Sequence, residues 1–131
     1  MFHNRKLQHI GFPTNHLEDT IKWYADVLGF EVVNRAYTPD GKIPIAFIRN
    51  GEIVYELYQP EEQLDAAVAK KIDHICFDSI DIEQDYLDCI QKGYTITTQG
   101  IESLPTVWDK GVKYFKIQGP SGEEVEFCQI L

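Results

Sequence analysis

Apolar and polar positions change period several times along the chain, and the changes divide it into short elements. LQHIGFP, near the start, reads as a strand. LEDTIKWYADVL, residues 17–28, places Ile21, Tyr24, Val27 and Leu28 on one stripe, the pattern of an amphipathic helix. Gly29 is placed to end it in a left-handed turn. Asn15 or Thr14 offers a side-chain cap at its start, and His16 beside it faces solvent. Three strands follow: FEVVNRAY, IPIAFIR after the turn Pro39-Asp40-Gly41, and EIVYELYQ after the hairpin signal Asn50-Gly51.

The order then recurs. IDHICFD opens a second half as a strand. A helix is expected over residues 81–92, DIEQDYLDCIQK, with Ile82, Tyr86, Cys89 and Ile90 as its stripe and Gly93 at its end. YTITT, then a longer irregular stretch, then GVKYFKI, the turn QGPSGE and EVEFCQI complete it. Each half reads β-α-β-β-β. His9 maps onto His74 and Gly29 onto Gly93, at nearly equal offsets. Module one covers about 5–60 and module two about 71–131; the charged, Ala-rich segment of about 61–70 suits a linker with one helical turn. Neither half has enough strands and helix to bury a core alone, so the expectation is one domain, 1–131, of two packed modules.

Length and composition fit one globular domain. A net charge of −9 with no basic stripe argues against nucleic acid. No apolar run approaches a membrane span, and the N-terminus lacks a secretory signal, so a cytoplasmic protein is expected. Three cysteines without a Cys-x-x-Cys pair exclude a zinc ribbon.

The candidate chemistry lies in the first and last strand of each half. His9 and His74 occupy equivalent first strands. In EIVYELYQ, Val54, Glu56 and Tyr58 share one face; in EVEFCQI, Glu124, Glu126 and Cys128 do. A carboxylate on an apolar strand costs several kcal/mol to bury unless it is paired or binds a metal. Two imidazoles and two carboxylates, His9, Glu56, His74 and Glu126, suit nickel, cobalt, zinc, manganese or iron(II). Four protein ligands on an octahedral ion would leave two positions open.

The paired modules and the His/Glu/His/Glu order resemble the vicinal oxygen chelate superfamily, and within it the glyoxalase I-like group. LEDTIKWYADVLGFEVV resembles that superfamily's opening helix and strand, and GPSGEEVEF its closing turn and ligand strand. The resemblance implies an α+β fold in which two βαβββ modules form an open barrel. It places His9, Glu56, His74 and Glu126 at the four metal-ligand positions of glyoxalase I. It implies one divalent metal (nickel, cobalt, zinc or manganese), a small-molecule substrate and a homodimer. The implied activity is that of a lactoylglutathione lyase-like lyase or isomerase. A carboxylate, Glu126 by resemblance, removes a proton next to a carbonyl, and Glu56 serves as second base where the product is an epimer.

Other superfamily members differ at these positions. Methylmalonyl-CoA epimerases usually carry Gln where this chain has Glu56, dioxygenases use iron and three ligands, and binding members lack the ligands. These remain the alternatives. Arg5, Arg35, Arg49 and Lys113 are the cations a glutathione carboxylate could use, although surface charge accounts for each. The segment GIESLPTVWDKGVKYF departs from the glyoxalase I pattern, and its Trp108 and Pro105 are candidate pocket walls. Cys76 and Cys128 should share the face of His74 and Glu126, as core packing or as pocket thiols.

Overall fold

The computed structural model describes residues 3–69, 71–120 and 122–131; Lys70 of the linker and Ser121 of the closing turn lie outside the described residues. The elements follow one another as β1 (Leu7–Pro13), α1 (Leu17–Leu28), β2 (Glu31–Tyr37), β3 (Pro44–Asn50), β4 (Ile53–Tyr58), α2 (Ala66–Ala69), β5 (His74–Asp78), α3 (Ile82–Gln91), β6 (Glu102–Leu104), β7 (Val112–Gln118) and β8 (Glu124–Ile130). The eight strands form one curled half-barrel sheet in the order β2-β3-β4-β1-β5-β8-β7-β6. Each module contributes one half of it. The antiparallel pair β1–β5 is the seam between them, with Gly11 opposite His74 and His9 opposite Cys76.

Strand alternation sends apolar side chains to both faces. On the outer face, Leu17 and Ile21 of α1 pack with Phe30, Ala46, Ile48 and Leu57. In the second module Ile82 and Cys89 of α3 pack with Phe115 and Phe127. The inner face is covered by Ile45, Phe47, Cys76, Val107, Val112 and Cys128.

The helix stripes are shorter than the spacing suggests. Val27, Leu28 and Ile90 are 57%, 47% and 49% exposed. At the end of α1, Gly29 adopts φ 72° and turns the chain so that Phe30, rather than Leu28, fills the space beside Tyr24 and Tyr55. Neither Asn15 nor Thr14 caps α1. Asn15 instead bonds the backbone of Leu64 in both directions, and Gln59, at the end of β4, accepts from the Leu17 N–H. On α3, Asp81 is the cap and accepts from the Gln84 N–H.

YTITT is not a continuous strand. Ile96 makes an isolated bridge to Ile117. The Thr98 hydroxyl then takes the N–H of Lys116 that a strand partner would have used. Gly100 turns the chain at φ 71°, and the edge resumes as β6.

Candidate metal centre

The four expected donors stand on the four central strands, β4, β1, β5 and β8. Glu56 pairs with Gly11 across β4–β1, and Glu126 pairs with Cys76 across β5–β8. Both modules therefore supply the site within one chain. His9, His74 and Glu126 are 3%, 4% and 6% exposed.

The two imidazoles meet at their Nε2 atoms, 3.0 Å apart. The other ring nitrogen of each is engaged by the residue just before it in sequence. His9 Nδ1 contacts Gln8 Oε1, and His74 Nδ1 lies 2.8 Å from Asp73 Oδ2. Both acceptors hold the Nδ1–H tautomer, which turns a lone pair on each Nε2 toward the site. Glu56 Oε1 lies 3.4 Å from His74 Nε2 and 3.9 Å from His9 Nε2. Glu126 reaches the same nitrogens, Oε2 at 3.4 Å from His74 and Oε1 at 3.7 Å from His9. Ligands each about 2.1 Å from one cation stand roughly 3–4 Å from one another, and His9, Glu56 and His74 bring one donor atom each within 4.8 Å of one another, a spacing that suits a single divalent ion. Gly11 makes room for the His74 ring: a Cβ there would fall 2.2 Å from His74 Cε1.

The site's protonation follows from burial and crowding. Burial pushes His9 down to about 4. Burial also opposes charge on His74, but hydrogen bonds to Asp73 and Glu56 outweigh it and hold that ring up at about 10. Burial lifts Glu126 to about 7. Burial works in the same sense on Glu56, yet the facing imidazoles overcome it and keep its carboxyl below the usual range.

The donors open into a cavity of about 260 Å³. Ile43, Ile45, Phe47, Leu104, Val107 and Val112 form its apolar wall. Trp108 lines it too, packed on Phe47 with ring centroids 4.5 Å apart and held at a positive φ of 60°. Cys128 is on the wall. Cys76 is not: its side chain is fully buried beneath Glu126, so it lies in the core rather than among the pocket residues. His9, Cys76, Glu126 and Cys128 also bring their donor atoms within 4.8 Å of one another, a second and softer grouping. Burial raises the Cys76 thiol well above its ordinary value and keeps it protonated.

Three of the cations considered for a glutathione carboxylate are engaged elsewhere. Arg5 donates to Asp85, Arg35 to Glu18 and Lys113 to Glu83. The cavity instead contains Tyr58, which alternation places on the face of Glu56, and Lys116, Tyr114, Gln8 and Asp73, which the strand pattern did not single out. For Gln8 and Asp73 a signal existed, because a polar residue precedes the histidine in both repeats.

The chain matches the model of the Glyoxalase/Bleomycin resistance protein/Dioxygenase superfamily over residues 6–127 and belongs to that superfamily. It is 29% identical over 128 residues to the uncharacterized protein YwbC of Bacillus subtilis (strain 168), covering 95% of this chain and 98% of that one. Among solved structures it resembles the hypothetical protein BH1468 from Bacillus halodurans C-125, with a TM-score of 0.78, 23% identity and coverage of 98% and 96%. It also resembles methylmalonyl-CoA epimerase from Mycobacterium tuberculosis, with a TM-score of 0.77, 18% identity and coverage of 96% and 88%. At such identities these structures show a shared fold.

Proposed function

We propose that this chain is a divalent-metal-dependent isomerase that moves a proton next to a carbonyl group, in the manner of glyoxalase I, with His9, Glu56, His74 and Glu126 as metal ligands. The observation that carries the reading is the pair of buried Nε2 atoms 3.0 Å apart, each aimed by an acceptor on its Nδ1 and flanked by two carboxylates. The metal is nickel, cobalt, zinc or manganese, as the mixed nitrogen and oxygen donors suit. When bound, it supplies Lewis-acid polarisation of two adjacent substrate oxygens. Glu126 is the base. It is buried at the cavity wall with an oxygen facing each imidazole, where a carboxylate can take a proton from a substrate carbon and return it. The apolar wall from Phe47 to Val112 excludes water from the exchanging carbon.

Epimerisation is the second reading. Glu56 provides a second carboxylate at the same pair of imidazoles, which a two-base epimerase requires, and epimerases share the fold. In that case Glu126 removes the proton from one face and Glu56 governs its return to the other. Assembly is proposed as a homodimer through the outer layer, where Trp23, Val27, Ile75, Leu87 and Ile90 are exposed.

The test is proton exchange in deuterated water with metal-loaded protein, followed by NMR, on a methylglyoxal–thiol hemithioacetal and on methylmalonyl-CoA. Deuterium incorporation that is lost in Glu126→Gln supports the reading. Metal-loaded protein that exchanges neither substrate above background, and only binds them, contradicts it and leaves a binding protein.

A further inference from the structure

Lys116 is the one lysine or arginine on the cavity wall among the described residues. It projects from β7, beside Glu126 in the ladder. Its Nζ lies 3.8 Å from Glu126 Oε2 and 3.6 Å from Asp73 Oδ2, both beyond hydrogen-bond length. Arg5, Arg35 and Lys113 each donate to a carboxylate at 2.7–2.9 Å. Asp73, the nearest acid to Lys116, is bonded to His74 Nδ1 and to Tyr58. The strand backbone therefore fixes a partly buried ammonium, with side chain 20% exposed, whose donors are not spent on these carboxylates.

Charge balance gives the ammonium a purpose. Among the described residues Glu56, Asp73 and Glu126 are the carboxylates of the cavity, and Lys116 is its one lysine or arginine; with the imidazoles neutral as metal ligands, it is the one side-chain cation there. A divalent metal brings this set to neutrality, so an anionic group can enter and meet Lys116 without net repulsion. We infer that Lys116 is a specificity-determining residue that binds a carboxylate of the substrate, and that the substrate is a small acid derivative carrying this carboxylate close to the carbon that exchanges its proton. The inference rests on the metal-dependent reading above and narrows it. A methylglyoxal hemithioacetal has no such group, whereas an acyl thioester of a dicarboxylic acid has one.

The test compares glycolate with tartronate on cobalt-loaded protein by calorimetry, with cobalt content measured on the same samples. Both probes offer a hydroxyl and a carboxylate on adjacent carbons; tartronate adds a second carboxylate on the hydroxyl carbon. The preference for tartronate should fall about tenfold or more in Lys116→Met and largely persist in Lys116→Arg, while cobalt content stays unchanged. A role in stability alone would weaken both probes together. Cobalt bound normally with the same preference in wild type and Lys116→Met overturns the inference and leaves the metal reading standing. Failure of wild type to take up cobalt overturns the metal reading, and this inference with it.

Discussion

His9 Nε2 and His74 Nε2 face each other at 3.0 Å across the seam between two modules, and in each case the residue one position earlier holds the other nitrogen. Two neutral imidazoles cannot rest with lone pairs opposed in a buried place; a proton or a cation must lie between them. Asp73 therefore sets both the direction and the basicity of His74. Replacing it with Asn should weaken divalent metal binding about 10–100-fold, the usual cost of losing a carboxylate behind a ligand histidine. Calorimetric titration with nickel checks this.

Gly11 tests the packing of the same ring. An alanine methyl would overlap His74 Cε1 at 2.2 Å, and the ring is the side that must yield. Gly11→Ala should cost about 1–3 kcal/mol in urea unfolding, as overpacking does, and displace His74 from the donor set. The expected result is a folded protein by circular dichroism whose metal affinity falls at least tenfold.

Away from the cavity, Asp85 is 5% exposed and depends on Arg5. Two guanidinium N–H groups reach its oxygens at 2.7 Å, and Ser79 donates at 2.6 Å. Arg5→Ala leaves a buried carboxylate with the serine alone and should destabilise the fold by about 3 kcal/mol. Denaturant unfolding of Arg5→Ala beside Arg5→Lys measures the loss.

Cys89 gives a pH dependence of definite sign. Burial raises its thiol from 9.0 to about 11. Between those values the unfolded chain loses the proton and the folded chain keeps it. The contribution to stability is present below pH 9 and is lost as pH rises toward 11. Melting curves over that window should show a smaller alkaline decline in Cys89→Ala than in wild type.

Much of this architecture is legible in the sequence, for identifiable reasons. α1 begins and ends at the residues its stripe and Gly29 indicate, and Glu56 and Glu126 face inward because period-two alternation fixes strand faces. The repeat pairs His9 with His74 before any coordinate is known. Other features depend on tertiary contacts that periodicity does not encode. Thr98 takes a backbone N–H and splits an edge strand, Gln59 reaches from another strand to the start of α1, and Lys116 enters the cavity from β7. Cys76 shares the face of His74, but Glu126 and the neighbouring core bury it below the cavity.

The most direct measurement is the divalent metal content of untagged protein purified without chelator, read by elemental analysis beside Glu56→Gln and His74→Ala. The account predicts about one nickel, cobalt, zinc or manganese per chain, reduced in Glu56→Gln and absent in His74→Ala. A chain that carries no metal and takes up none on titration, or that binds it equally well in His74→Ala, would contradict the site described above.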